Sequence, residues 1–241
     1  MPEPLVFAII VCAGILVQSF SGFAGALVTV PLFAAFLSPQ RAIPAFGIVS
    51  LLINIAMLLE ARLHVRWDIV TKLMVGGFVG VPLGAILLKH LPLDVLVIII
   101  SVVTLTFAFL LLLNVQLRLG GGTPVQVVVG FLSGLLGGAI GQSGPPVVIY
   151  GISRKYEKDT FRTMLLTYFS FVGSAGVLAY WLNGMYTRQS FVNIGVALVP
   201  AFAMSLIGLK FKNRVSDAFF RRAVLVIVVA VSLMALSRAL A

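Results

Sequence analysis

The residues of this sequence that are best suited to chemistry lie at positions 130–151, GFLSGLLGGAIGQSGPPVVIYG, where polar groups interrupt an apolar run. Seven of these residues are glycine and two are proline. A glycine costs a helix interior roughly 1 kcal/mol relative to alanine and a proline about 3 kcal/mol, so the run predicts a broken helix. Unpaired N–H groups at a helix start bind anions, and an amide or hydroxyl can add to such a site. The candidate substrate-binding residues here are Gly138, Gly141, Gln142, Ser143 and Gly144.

A second glycine-rich stretch of the same character lies near the start of the chain, at positions 14–31. Placing Gly14 over Gly130, a shift of 116 positions, also matches Gly22 with Gly138, and proline follows in both stretches. Close packing of helices is the alternative role for small residues of this kind. The symmetry-related candidates are Gln18, Ser19, Ser21, Gly22 and Gly25, together with Asn54 in the next apolar run.

Ser143 also admits an enzymatic interpretation, because Gly-x-Ser-Gly is the form found in rhomboid intramembrane serine proteases. A nucleophilic serine needs a base within hydrogen-bond reach. No histidine follows His90, so the second half of the chain cannot supply one. The sequence also lacks a Walker phosphate loop, a cluster of metal ligands and paired intramembrane carboxylates. We therefore expect no catalytic activity, no cofactor and no metal.

The composition indicates an integral membrane protein. Hydrophobic residues make up 61% and charged residues 10% of the 241 residues, whereas soluble domains are about 45–50% apolar. In a soluble protein, a net charge of +10 would suggest nucleic acid as a partner. In a membrane protein, it is explained by basic cytoplasmic loops. At membrane depth, broken backbone is tolerated only where it is buried in protein or lines a cavity, and transporters bind substrate at such breaks.

The charge clusters divide the chain into apolar segments and two halves. We expect one transmembrane domain, with repeat 1 at positions 1–119 and repeat 2 at positions 124–241. Each repeat begins with its glycine-broken segment and continues with three spans. The predicted spans cover positions 42–60, 73–89, 93–114, 163–182, 190–209 and 223–240.

Loop charges decide between two topologies for the broken segments. If each segment is a re-entrant helical hairpin, each repeat crosses the bilayer an odd number of times and the second repeat is inverted. Of the 17 Lys and Arg residues, 13 then lie on one side, and only Arg41, Lys89, Arg188 and Arg238 lie on the other. If each segment crosses once, the division is 11 against 6. The positive-inside rule favours the hairpins, with both termini outside.

Two arginines each follow a broken segment and open the next span, at Arg41 and Arg162. They are candidates for a gate or vestibule that draws anions inward by long-range attraction. A solvated or headgroup-facing arginine is the alternative. His64 and His90 lie at span ends, which favours an interfacial position over a proton relay.

These features together resemble the TauE/SafE family of sulfite and organosulfonate exporters. The resemblance rests on SGFAGALVTVP at positions 21–31, SGLLGGAIGQSGPP at 133–146, HVRWDI at 64–69 and FRR at 220–222, and it covers nearly the whole chain. It implies a secondary transporter of a small anion such as sulfite, a sulfonate or a related carboxylate, working as an exporter in a bacterial inner membrane. The sequence alone leaves an anion channel as the alternative.

The resemblance and the composition also bound the partners. We expect a small anionic substrate and the lipid bilayer, and no nucleic acid. A proton or a sodium ion is the candidate coupling ion, and a homodimer is compatible with the sequence.

Overall fold

The computed structural model describes residues 1–61, 65–113, 119–211 and 217–240. In that part of the chain the regular structure is helical and no strand occurs, which confirms the predicted all-α class. His64, part of the basic-aromatic motif, lies outside the described residues. The helices are α1 (Glu3–Ser21), α2 (Gly25–Phe36), α3 (Pro39–Ala61), α4 (Trp67–His90), α5 (Leu93–Leu112), α6 (Thr123–Ile140), α7 (Gly144–Ser153), α8 (Lys158–Leu182), α9 (Arg188–Phe211) and α10 (Asp217–Leu240).

Seven of these helices are long and apolar enough to cross a membrane, namely α1, α3, α4, α5, α6, α8 and α9. Two further apolar helices are shorter, namely α2 and the stretch Val224–Ala239 of α10. The fold is therefore that of a multi-pass membrane protein. The predicted spans agree with the helices to within a few residues at most ends, because charged clusters and prolines mark those ends in the sequence.

Both predicted helix breaks are present, and each is three residues long. Helix α1 ends at Ser21, its C-cap Gly22 has a left-handed φ of 83°, and α2 begins at Gly25. Helix α6 ends at Ile140, its C-cap Gly141 has a φ of 71°, and α7 begins at Gly144. Both pairs of equivalent positions are 119 residues apart, so the predicted shift of 116 is wrong by three residues, about one helical turn.

The other glycines of the second stretch explain that error, because they serve helix packing. Glycines repeat every fourth residue on both α4 and α6, and the two helices pack closely along these rows. A methyl group at any of these positions would overlap a backbone carbonyl oxygen of the facing helix. Small residues let membrane helices approach in this way. The two rows are Gly76, Gly80 and Gly84 on α4 and Gly130, Gly134 and Gly138 on α6.

The remaining contacts place the two breaks in the interior. Helix α1 packs on α9 as α6 packs on α4, and each broken segment packs on itself, α1 against α2 and α6 against α7. Helix α3 contacts α8 and α9, while α8 contacts α3 and α4. Helices α3 and α8 thus form the walls of the space into which both breaks project.

Candidate functional site

A cavity of about 100 Å³ lies between the two breaks. A water molecule needs roughly 10–15 Å³ of such space, so a small ion has room here. The breaks are adjacent at this point, because a methyl group on Gly144 would lie 3.8 Å from the carbonyl oxygen of Phe23. Among the described residues, none that lines the cavity is Asp, Glu, Lys, Arg or His. The polar and small residues around the cavity include Gln18, Ala26, Gly47, Ser50, Asn54, Gly137, Gly141, Ser143, Gly144, Gly173, Gly176 and Tyr180.

The first break contributes an amide network to the cavity. Gln18 Nε2 donates to Asn54 Oδ1 at 2.7 Å, and Asn54 Nδ2 donates to Ser50 Oγ at 3.4 Å. The network links α1 to α3, and all three side chains line the cavity. Asn54 therefore both borders the cavity and bonds a neighbouring helix.

The second break presents Gly141, Ser143 and Gly144 to the cavity. Among the described residues, no hydrogen bond is seen for the hydroxyl of Ser143, which lies against Gly137. Ser133 instead donates to the backbone oxygen of Ser143 and fixes the path of the chain there. Ser143 is therefore free to contact a ligand.

Gln142 faces away from the cavity, although the sequence made it a candidate for substrate binding. Its side chain is fully buried against Thr104 of α5. Gln142 Nε2 donates to Thr104 Oγ1 at 2.8 Å, and Thr104 Oγ1 lies 3.2 Å from Gln142 Oε1 in a second hydrogen bond. The amide thus ties the second break to α5, and its polar groups are already paired.

Five other candidates shape the breaks without lining the cavity. The hydroxyl of Ser19 donates to Ile15 O at 2.8 Å, and that of Ser21 donates to Val17 O and accepts from the N–H of Ala24 at 2.9 Å. These bonds satisfy local backbone groups, as serine commonly does in helices. Gly25 permits the close approach of α2 to α1, Gly138 permits that of α6 to α4, and Gly22 provides the left-handed turn.

The two breaks offer unequal numbers of N–H donors. The first turn of α2 carries the N–H groups of Gly25, Ala26 and Leu27, which have no intrahelical acceptor. The first turn of α7 contains Pro145 and Pro146, which have no N–H. The sequence predicted equivalent anion sites at both breaks, but most of the backbone donors belong to the first.

Tyr180 is a cavity residue that the sequence analysis missed. Its hydroxyl donates to the carbonyl oxygens of Gly137 and Gly138, at 3.1 and 2.9 Å, and so satisfies the end of α6. Tyr168, about three turns away on α8, donates its hydroxyl to Gly130 O at 3.1 Å in the same manner. A signal was available, since a tyrosine inside an apolar span must find a partner for its hydroxyl.

Neither gate candidate lines the central cavity. Arg41 is exposed and borders a separate surface cavity with Glu3 near the start of α1. Arg162 lies against Gly22, on the first break.

Tyr186 lies in the loop between α8 and α9, and its hydroxyl donates to Pro44 O of α3 at 3.3 Å. Burial raises the pKa of this phenol above its usual value, so it remains a donor throughout the neutral range.

Comparison with known proteins identifies the family of this all-helical membrane chain. The family model described as "Sulfite exporter TauE/SafE" matches residues 6–235. The chain belongs to the TauE/SafE family. No curated protein and no solved structure gives a match.

TauE/SafE proteins are membrane transporters and not enzymes. The protease interpretation of Ser143 therefore falls away, and the expected absence of enzymatic activity is confirmed by the family. In the described part of the chain, no group of three or more His, Cys, Asp or Glu residues could hold a metal ion.

Proposed function

We propose that this TauE/SafE protein is a secondary transporter that exports a small anion, such as sulfite, a sulfonate or a related carboxylate. The anion binds in the cavity between the two breaks. The observation that carries the proposal is the lining of that cavity, which offers amide, hydroxyl and N–H donors and, in the described part of the chain, no carboxylate. An anion accepts several such bonds at once, and fixed dipoles act strongly where water is excluded.

The proposal assigns direct contact to Gln18, Asn54, Gly141, Ser143 and Gly144. Ser19, Ser21, Gly22, Gly25, Gly138 and Gln142 hold the breaks in shape. No described residue that lines the cavity carries a full positive charge, so binding is of moderate strength, as release of the cargo requires. Export against a gradient needs a coupling ion, for which a proton or a sodium ion is the candidate. A homodimer is compatible with this scheme.

The proposal includes two inverted repeats in one transmembrane domain. Exchanging α1–α5 with α6–α10 converts the pair α1 and α9 into α6 and α4, and the pair α3 and α9 into α8 and α4. All of these pairs are in contact, which supports a repeat at positions 1–119 and 124–241. Each broken segment is then a re-entrant hairpin, followed by three spans, with both termini outside a bacterial inner membrane.

Cysteine labelling tests this topology, because it places single loops on one side of the membrane. Cysteines at Gly120, before α6, and at Tyr156, after α7, are both expected to be labelled only from the cytoplasm, because a re-entrant hairpin returns the chain to the side from which it entered. Labelling of these two positions from opposite sides would show that α6 and α7 together cross the bilayer and would contradict the hairpin.

Transport by Gly144→Val tests the site itself. The valine side chain would fill cavity space, and its Cβ meets only the oxygen of Phe23 at 3.8 Å, so the fold has room for it. Efflux of sulfite and of methanesulfonate from proteoliposomes, with and without a proton gradient, is expected to fall at least tenfold.

Gly195→Val is the matched control, because Gly195 is exposed on α9 and a Cβ there meets no atom within 4 Å. If Gly144→Val shows the same efflux as the wild type, the substrate does not pass through the central cavity. Efflux of cations or neutral solutes alone would refute anion transport, and efflux that does not saturate would indicate a channel.

A further inference from the structure

Arg162 covers the first break from the side of α8. A methyl group on Gly22 would lie 3.3 Å from Arg162 Cγ and 3.8 Å from its Cδ. Gly22 has a left-handed φ of 83° and ends α1, so the aliphatic stem of the arginine rests on the turn itself. The central cavity is lined by the next residue, Phe23, but not by Gly22 or Arg162. The arginine thus stands beside the cavity and outside it.

The guanidinium of Arg162 lacks acceptors on one edge. Its Nε and Nη2 atoms are buried and have no hydrogen-bond partner among the described residues. In the same part of the chain, the ion pair that does form joins Arg66 to Asp68 at the surface. Burying a charge without a partner is strongly unfavourable, so these two donors need acceptors that the described residues do not supply.

The unpaired edge has a specific chemistry. Nε–H and Nη2–H point in parallel and match two oxygens of one oxyanion. Arg66 shows this geometry in the same protein, because its Nε and Nη2 donate to the two carboxylate oxygens of Asp68 at 2.9 and 2.8 Å. The side chain of Arg162 is only partly buried as a whole, whereas its Nε and Nη2 atoms are buried, so an anion bound to this edge would be shielded from water.

We propose that Arg162 binds the transported oxyanion at a second position, beside the first break and next to the central cavity. This inference rests on the proposed function, since it takes the substrate to be an anion. It narrows the substrate to anions with two oxygens on one face, such as sulfite, sulfonates and carboxylates. A spherical halide offers no pair of oxygens, so it gains less from the two parallel N–H groups of Arg162.

The first test measures affinity for methanesulfonate, with bromide as the spherical probe, in purified protein at constant ionic strength. Arg162→Met is expected to weaken methanesulfonate binding about ten- to a hundredfold, the range for hydrogen bonds to charged groups. Arg162→Lys keeps the charge but loses the pair of parallel N–H donors, so an intermediate loss of methanesulfonate affinity is expected. Arg154→Met removes the same charge from an exposed side chain of the preceding loop and is expected to bind as the wild type does.

Thermal unfolding separates this role from a structural one. Without anion, Arg162→Met is expected to be as stable as the wild type or more stable, because an unpaired buried charge has been removed. Methanesulfonate should raise the melting temperature of the wild type and raise that of Arg162→Met less. A less stable Arg162→Met protein that still binds methanesulfonate within twofold of the wild type would overturn the inference.

Gly144→Val distinguishes this inference from the proposed function. If methanesulfonate affinity falls in Arg162→Met but not in Gly144→Val, the arginine site stands and the central-cavity site is refuted. If it falls in Gly144→Val but not in Arg162→Met, the arginine site is refuted and the central cavity stands. Two weakened variants support both positions, and two unaffected variants refute both.

Discussion

The bond between Gln142 and Thr104 makes a prediction that separates support of the break from contact with substrate. Both side chains are fully buried, and the structure gives each of them hydrogen bonds only to the other among the described residues. Replacing Gln142 by leucine would leave the Thr104 hydroxyl without its partner at the second break. We expect the break to loosen from α5 and transport to fall, although Gln142 does not line the cavity.

The magnitude follows from the two bonds. Hydrogen bonds between helices in a membrane contribute about 0.6 kcal/mol on average and at most about 1.7 kcal/mol. Two bonds shared by one pair should therefore give a coupling energy of about 1–2 kcal/mol. The assay is a double-mutant cycle of Gln142→Leu and Thr104→Val, read by reversible unfolding in mixed micelles. Thr104→Val keeps the shape of the side chain and removes only its hydroxyl.

Transport by the same variants gives the functional answer. If the pair acts as a tie, both single variants reduce efflux by a similar factor and the double variant is no worse than the poorer single. If Gln142 contacts the anion, Gln142→Leu weakens affinity while Thr104→Val leaves it unchanged. That second result, or a coupling energy near zero, would refute the role assigned to this pair.

Two further predictions concern packing around the cavity. Gly80→Leu should prevent the close approach of α4 to α6, because any Cβ there overlaps Phe131 O, and folded yield should collapse, whereas Gly195→Leu should express normally. Tyr180→Phe should keep the ring but leave the Gly138 carbonyl without its donor, whereas the Gly137 carbonyl still accepts from the N–H of Gly141, and the loss should cost about 1–3 kcal/mol in thermal unfolding. Equal stability of Tyr180→Phe and the wild type would show that water or lipid replaces the hydroxyl.

The position of the breaks could be predicted from the sequence because their cause is local. Glycine and proline are unfavourable in a helix interior, so the glycine-rich clusters around positions 22–25 and 137–146 predict breaks near the places where they lie, although single prolines such as Pro31 and Pro82 are accommodated inside helices. The helix ends were predictable for a similar reason, since charged clusters cannot remain in the hydrocarbon region. The close packing of α4 on α6 could not be predicted in the same way, because glycine is found both at helix breaks and at close helix contacts. That ambiguity displaced the predicted repeat register by one turn.

The direction of each side chain could not be predicted, because it depends on how the short helices are rotated against their neighbours. Gln142 and Ser143 are adjacent, yet the first contacts α5 and the second lines the cavity. Gly137 and Gly138 are adjacent in the same way, and only Gly137 reaches the cavity while Gly138 packs on α4. Rotation of about 100° per residue separates such neighbours. Tertiary contacts, not composition, decide which of them faces the ligand.

The observed register gives the two breaks different surroundings. At a shift of 119 residues, Gly22 corresponds to Gly141, and Pro39 and Lys158, which begin α3 and α8, correspond as well. Arg162 then corresponds to Ile43, and each lies on the glycine of a break, Arg162 on Gly22 and Ile43 on Gly141. One break therefore faces a cation and the other a branched hydrocarbon. Since α2 also begins with more N–H donors than α7, we expect, under the proposed function, that an anion is held more strongly at the first break. A carrier built as proposed, with inverted repeats but unequal breaks, is then expected to bind its substrate with unequal strength toward its two sides.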